Sequence, residues 1–164
     1  MHIERVENLD ALASRAAQAV ADWLAADVAA RGEATLVLAG GSTPRRLYEI
    51  MAARAGEDGL PWASVTVLFG DERAVGADDA DSNYKMAHDA LLSRLKTAPK
   101  AVHRMEGELG SEAGARAYEA LVPERLDVVL LGLGEDGHTA SLFPGRPEVE
   151  ITDTRVVAAF GPKP

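Results

Sequence analysis

Apolar positions along the chain change their period several times, and each change marks an element. Leu9, Leu12, Ala16, Val20, Trp23 and Leu24 recur at three- and four-residue steps, which is one face of an amphipathic helix. Asn8 stands where the N-cap of that helix belongs and Gly32 where it should stop. Thr35-Leu36-Val37-Leu38-Ala39 is then apolar without alternation, the pattern of a strand buried on both faces. Gly40-Gly41-Ser42-Thr43-Pro44 breaks the run, and a helical segment is expected through about Ala53. The cycle repeats. Residues 65–69 predict a second buried strand, and an acidic stretch over 78–81 leads to Ser82 as N-cap of a helix through about Leu95. Residues 101–103 fit a short strand and 111–121 a helix. Residues 127–133 carry the strongest strand signal, and 155–160 are a last strand candidate. Apolar strands alternating with helices predict an α/β fold, a mostly parallel sheet with helices on both faces. Such sheets take ligands beyond the carboxyl ends of their strands.

Composition narrows the function. A chain of 164 residues with no repeat or low-complexity tract reads as a single α/β domain spanning 1–164. Seventeen basic against 26 acidic residues leave a net charge of −9, a field that repels polyanions. Neither nucleic acid nor a membrane is an expected partner, although a few local arginines can still hold a small anion. With no cysteine, disulfides, thiolate metal sites and cysteine nucleophiles are excluded, which fits a reducing cytosol. The amino terminus lacks the apolar core of a signal peptide. The apolar runs over 35–39 and 128–133 fall far short of the ~20 residues of a spanning helix. A cytoplasmic location is expected.

Three Gly-rich polar loops follow the three clearest strands. In the first, Gly40 and Gly41 let a ligand approach the backbone, Pro44 suits the first helical position, and Ser42 or Thr43 would cap the helix. A helix N-terminus of this kind is a ready phosphate site. No Lys follows the glycines, so it is not a nucleoside triphosphate loop. In the second, Gly70-Asp71-Glu72-Arg73 puts two carboxylates and a guanidinium at the ligand edge; Arg73 suits a phosphate or carboxylate, and Asp71 could orient a base or act as one. In the third, Gly132-Leu133-Gly134-Glu135-Asp136-Gly137 matches the spacing of a dinucleotide fingerprint. Its two carboxylates would face the pyrophosphate, and Pro144 leaves little room for the helix that should follow. What remains there is His138. It is the one histidine of four set in a Gly-rich loop at the ligand edge, and hence the candidate general base.

Taken in order, Gly40 to Pro44, then Asp71-Glu72-Arg73 with Asp81-Ser82-Asn83-Tyr84, then Gly132 through Pro144 resemble the 6-phosphogluconolactonase family over essentially the whole chain. The resemblance implies a sheet of the glucosamine-6-phosphate deaminase and ribose-5-phosphate isomerase type. It implies metal-free, cofactor-free hydrolysis of 6-phosphogluconolactone in the oxidative pentose phosphate pathway. Deaminases of the same fold are the nearest rival. They resemble Asp-Glu-Tyr at the second loop, where this chain has Arg73, and place an Asn-Glu-Pro stretch after the histidine, where this chain has Ser141-Leu142-Phe143-Pro144.

On that resemblance His138, Asp71, Arg73 and Asp136 are the catalytic candidates, and Gly40, Gly41, Ser42, Thr43, Asn83 and Gly137 bind the sugar phosphate. His138 would activate a water. Asp71 or Asp136 would orient it, both remaining open, and Arg73 would hold the substrate or the developing oxyanion. Ser141 is expected at a helix start rather than as an acylated serine. Lactonases of this family continue beyond the point where this chain stops, adding a lysine and an arginine associated with substrate. The expectation is therefore of a chain shortened at its carboxyl end, with 161–164 as a connector and Lys163 not the family's lysine. A non-catalytic sugar-phosphate binder is the alternative from another class.

Overall fold

The computed structural model describes residues 2–55 and 60–161; Pro162, Lys163 and Pro164 of the expected connector lie outside them. Helix α1, Leu9–Arg31, is capped by the Asn8 side chain, which accepts from Ala11 N–H at 2.9 Å, and ends at Gly32 with φ +80°. Only glycine takes that left-handed turn without strain. Strand β1 is Ala34–Leu38, α2 Ser42–Arg54 and β2 Val65–Phe69. Helix α3, Asn83–Ala90, is capped by Ser82 Oγ, which accepts from Lys85 N–H. It stops short of Leu95 because Leu91 leaves helical geometry, and a single tight turn over Leu92–Arg94 follows. Strand β3 is Ala101–Val102, α4 Ser111–Glu119 and β4 Val128–Val129.

The four strands form one sheet in the order β3-β2-β1-β4, with every pair parallel. Side chains alternate across it. Leu36, Leu38, Val65, Val67 and Phe69 join the core under α1, α2 and α3, while Val37 and Leu68 pack on the opposite face with Tyr118 of α4. Helices thus cover both faces, as the apolar strands require. The buried stripe of α1 is Ala13, Ala17, Val20, Ala21 and Leu24, whereas Leu9, Leu12 and Trp23 are exposed. Val20 and Leu24 of the expected face are buried, but the rest of the stripe is shifted because small alanines, not the larger side chains, sit where α1 packs against α2 and the core.

At the amino ends of the strands, Asp127 ties β4 to β1. Its N–H donates to Thr35 Oγ1 and its carboxylate accepts from Thr35 N–H, each at 2.8 Å, while Arg31 and Arg125 approach the other oxygen. Burial pushes this carboxyl's pKa up, but the hydrogen bonds from Arg125 and Thr35 outweigh it and leave the group below the usual carboxylate range.

At the carboxyl ends two buried tyrosines stop the ladders. A strand residue turns its N–H and C=O toward the same neighbour. Val37 O accepts from Leu130 N–H, so Ala39, two residues on, faces β4 as well. Both of its groups are taken by the Tyr48 hydroxyl at 2.8 Å. β4 therefore ends at Val129 rather than running to Leu133, and Leu131 and Leu133 are exposed. Tyr118 does the same between β2 and β3, accepting from Phe69 N–H at 2.8 Å and sharing its one proton between Phe69 O and His103 O. Residues 155–160 form no strand either: Arg155 and Val156 N–H groups are spent on the Glu119 carboxylate of α4.

Candidate active site

The chain leaves β1 through α2 to β2 on one side, while β4 on its other side is entered from α4 on the opposite face. The strand order thus reverses at β1, where sheets of this kind open a crevice past the carboxyl end. The loops after β1, β2 and β4 converge there. The first is held at its base by Tyr48. Gly41, at φ +104°, is the cap residue of α2, so Ser42 and Thr43 are already helical and neither hydroxyl caps, contrary to the expected start at Pro44. The first turn of α2 has no acidic residue, and the N–H groups of Ser42 and Thr43 have no partner within the helix. A helix end with unspent donors and no counter-charge of its own favours an anion.

The three charges after β2 diverge. Glu72 turns inward to α3, accepting from Ser82 Oγ and from the N–H groups of Arg73, Asn83 and Tyr84 at 2.7–3.0 Å. It is a structural cap that nothing in the local pattern announced. Asp71 accepts from Asn83 Nδ2 at 3.0 Å on one oxygen and from Ser141 Oγ at 2.6 Å on the other. Asn83 is buried, and a Cβ on Gly40 would overlap its amide. Arg73 is exposed and makes no ion pair among the described residues.

The third loop opens with a turn closed by Gly137 N–H on Gly134 O at 3.0 Å, with Gly137 at φ +87°. The turn brings Asp136 Oδ1 to 2.5 Å from His138 Nδ1. Of the two carboxylates left open by the sequence, Asp136 holds the imidazole. The hydrogen bond from His138 keeps the Asp136 carboxyl below its ordinary range, so it stays an acceptor at neutral pH. That selects the tautomer with hydrogen on Nδ1 and a lone pair on Nε2. Phe143 stacks on the ring, with centroids 4.8 Å apart. Ser141 does not start a helix. It sits in a turn bridged by Thr139 and Leu142, directly after Ala140, which is held at φ +50°.

A cavity of about 370 Å³ opens on the α4 side of the sheet, lined by Val37, Leu68, Tyr118 and Val156 and by the polar Asp71, Arg73 and Ser141. His138 and residues 40–43 do not line it. Among the described residues no three His, Asp or Glu side chains are grouped to hold a metal, and no helix is long and apolar enough to cross a membrane.

Residues 7–164 match the family model of glucosamine-6-phosphate isomerases/6-phosphogluconolactonase. A 6-phosphogluconolactonase from Synechocystis is 38% identical over 157 residues, which cover 89% of this chain and 64% of the relative. The crystal structure of a 6-phosphogluconolactonase from Shewanella baltica aligns with a TM-score of 0.85 at 33% identity, over 97% of this chain and 69% of that one. A monomeric glucosamine-6-phosphate deaminase aligns with a TM-score of 0.77 at 27% identity, over 88% of this chain and 60% of its own. The chain spans about three-fifths of the length of the curated relatives it matches.

Proposed function

Given that this chain belongs to the family of glucosamine-6-phosphate isomerases and 6-phosphogluconolactonases, we propose that it serves the hydrolysis of 6-phospho-D-glucono-1,5-lactone to 6-phospho-D-gluconate in the cytoplasm. The observation that carries the reading is the Asp136–His138 pair, which leaves a basic imidazole nitrogen on a loop at the sheet's ligand edge.

The substrate is an internal ester bearing a phosphate. The phosphate sits on the N–H groups and hydroxyls of Ser42 and Thr43, where Gly40 and Gly41 admit it close to the backbone. His138 Nε2 takes a proton from a water as the water oxygen bonds to the lactone carbonyl carbon. Arg73, with no carboxylate partner among the described residues, steadies the negative charge that gathers on the carbonyl oxygen, a role worth ~3–4 kcal/mol per donor. Collapse of the tetrahedral adduct breaks the bond to the ring oxygen, which receives the proton from His138. The products are a carboxylic acid, which ionises, and a free hydroxyl. Gly137 shapes the turn that presents the histidine. Asp71 and Asn83 act by position, holding the loops after β2 and β4 against Gly40. The lactone is favoured over a deaminase substrate because, among the described residues, His138 meets no carboxylate besides Asp136, and Phe143 packs on it instead.

The test is turnover of freshly generated lactone, corrected for spontaneous hydrolysis. His138→Ala should lose about 10²–10⁴-fold in kcat while binding of 6-phosphogluconate changes little. Near-full activity in His138→Ala would remove the histidine from the reaction. Binding of 6-phosphogluconate by the parent chain without turnover would make it a sugar-phosphate binder.

A further inference from the structure

We propose that Ser141 is the positioning residue that sets His138 over the substrate, by fastening the turn after the histidine to Asp71. The catalytic part of this assignment rests on the lactonase reading above.

The Asp136–His138 bond orients the imidazole but joins two residues of one loop. Such a pair moves as a unit, and nothing in it sets where the unit stands relative to the anion site at α2. The rest of the loop is tied to itself in the same way. Gly134 N–H donates to His138 O, Gly137 N–H to Gly134 O, Thr139 Oγ1 to Gly132 O, and Thr139 and Leu142 exchange backbone hydrogen bonds. Among the described residues, apart from Val149 N–H donating to Arg146 O in the turn that follows, one hydrogen bond leaves residues 132–146 for another part of the molecule. It runs from Ser141 Oγ to Asp71 Oδ2 at 2.6 Å.

The residue before it carries strain. Ala140 stands at φ +50°, a region costly for a side chain and kept only where the surroundings impose it. That turn aims Ser141 at Asp71. From Asp71 the path continues through Asn83 Nδ2, bonded to both the Asp71 carboxylate and its backbone oxygen, to the close contact of Asn83 with Gly40. The phosphate loop, the end of β2 and the histidine loop thus share one chain of contacts, with Ser141 as the link on the histidine's side. Misplacing a catalytic group by about 1 Å can cost about 10²-fold, so loosening this link should reach the chemistry.

The experiment compares Ser141→Ala and Ser141→Thr with the parent in lactone turnover, with ¹⁵N relaxation of the amides over 138–142 as a second readout. Ser141→Ala should lower kcat about 10- to 100-fold with KM little changed, because the phosphate is held elsewhere. Ser141→Thr keeps the oxygen and should recover most of the loss. The amides over 138–142 should gain slow exchange in the Ala variant while α1 and α2 keep the parent's behaviour. Parental kcat in Ser141→Ala would overturn the assignment. So would equal losses in both variants accompanied by equal falls in melting temperature, which would mark plain support of the fold. If His138→Ala keeps the parent's turnover, it is the lactonase reading that fails. The relaxation data then decide alone whether Ser141 fastens the loop, and unchanged amides over 138–142 would refute it.

Discussion

Replacing Tyr118 by Phe removes a single oxygen at the point where the β2 and β3 ladders end. The hydroxyl accepts from Phe69 N–H at 2.8 Å and donates toward the Phe69 and His103 carbonyls at 3.3 and 3.2 Å. Phe69 is 2% exposed. The variant leaves a buried donor unpaired, at about 1–3 kcal/mol, and the carbonyls add less because each keeps a further lone pair. A loss of about 2 kcal/mol is expected, a large share of the ~5–15 kcal/mol that holds a domain together. The phenol offers an independent check. Burial pushes its pKa up to about 12, with the Phe69 backbone hydrogen bond pulling weakly the other way. The native state therefore keeps this proton longer than the unfolded chain does. Its contribution is whole below pH ~10 and drains away as the pH rises through about 12, by about 3 kcal/mol at ~1.4 kcal/mol per pH unit. Urea unfolding near neutrality should show a lower midpoint at unchanged slope in Tyr118→Phe. At about pH 11 the gap between parent and variant should narrow by about 1 kcal/mol, since only the parent still has this proton to lose. Tyr84→Phe is the control: its hydroxyl makes no hydrogen bond among the described residues, and the change should stay within about 0.5 kcal/mol. Equal midpoints for parent and Tyr118→Phe near neutrality, or a gap that ignores pH, would refute the reasoning.

The paired substitution Ser42→Ala with Thr43→Ala should weaken binding of 6-phosphogluconate much more than binding of gluconate, read by calorimetry. Because neither hydroxyl caps α2, stability should stay within about 0.5 kcal/mol of the parent, and equal weakening of both ligands would mean the loop does not read phosphate. Asp127→Asn should cost about 2 kcal/mol in urea unfolding, the larger values for a buried ion pair being discounted for the exposure of Arg31 and Arg125. Since this carboxyl is held below its usual range, its contribution is present above the unfolded value of ~3.9 and lost as pH falls through the folded one; the variant should show a shallower acid limb.

Features written in neighbouring residues were legible in the sequence. The caps Asn8, Gly32 and Ser82 and the five-residue apolar runs of β1 and β2 stand where periodicity and capping chemistry put them. His138 was legible as the histidine of a Gly-rich loop at the ligand edge. Its partner was not, because choosing between Asp71 and Asp136 needs the turn that folds residues 134–137 back on themselves. The length of β4 was hidden for a different reason. Its apolar run continues to Leu133, but its next partner on β1 is Ala39, claimed by Tyr48 nine residues later in another element. No reading of 127–133 alone contains that competition. The partial shift of the α1 stripe has a related origin: side-chain size draws the eye to Leu12 and Trp23 over Ala13 and Ala17, while close packing favours the small residues. Glu72 and Ser141 escaped because their partners lie 10 to 12 and 70 positions away.

The contact between Gly40 and Asn83 bears on how such a sequence can drift. The space that any side chain at position 40 would need is filled by the amide of position 83, so the two sites are one packing decision taken 43 residues apart. A methyl gained at 40 is tolerable only alongside a smaller residue at 83. That smaller residue gives up the donor which Asp71 accepts. Substitutions at 40 and 83 should therefore arrive together or not at all, and the pair that arrives must bring a new donor for Asp71 from elsewhere. A glycine that looks free to change is bound, through a neighbour it does not touch in sequence, to the loop that bears the histidine.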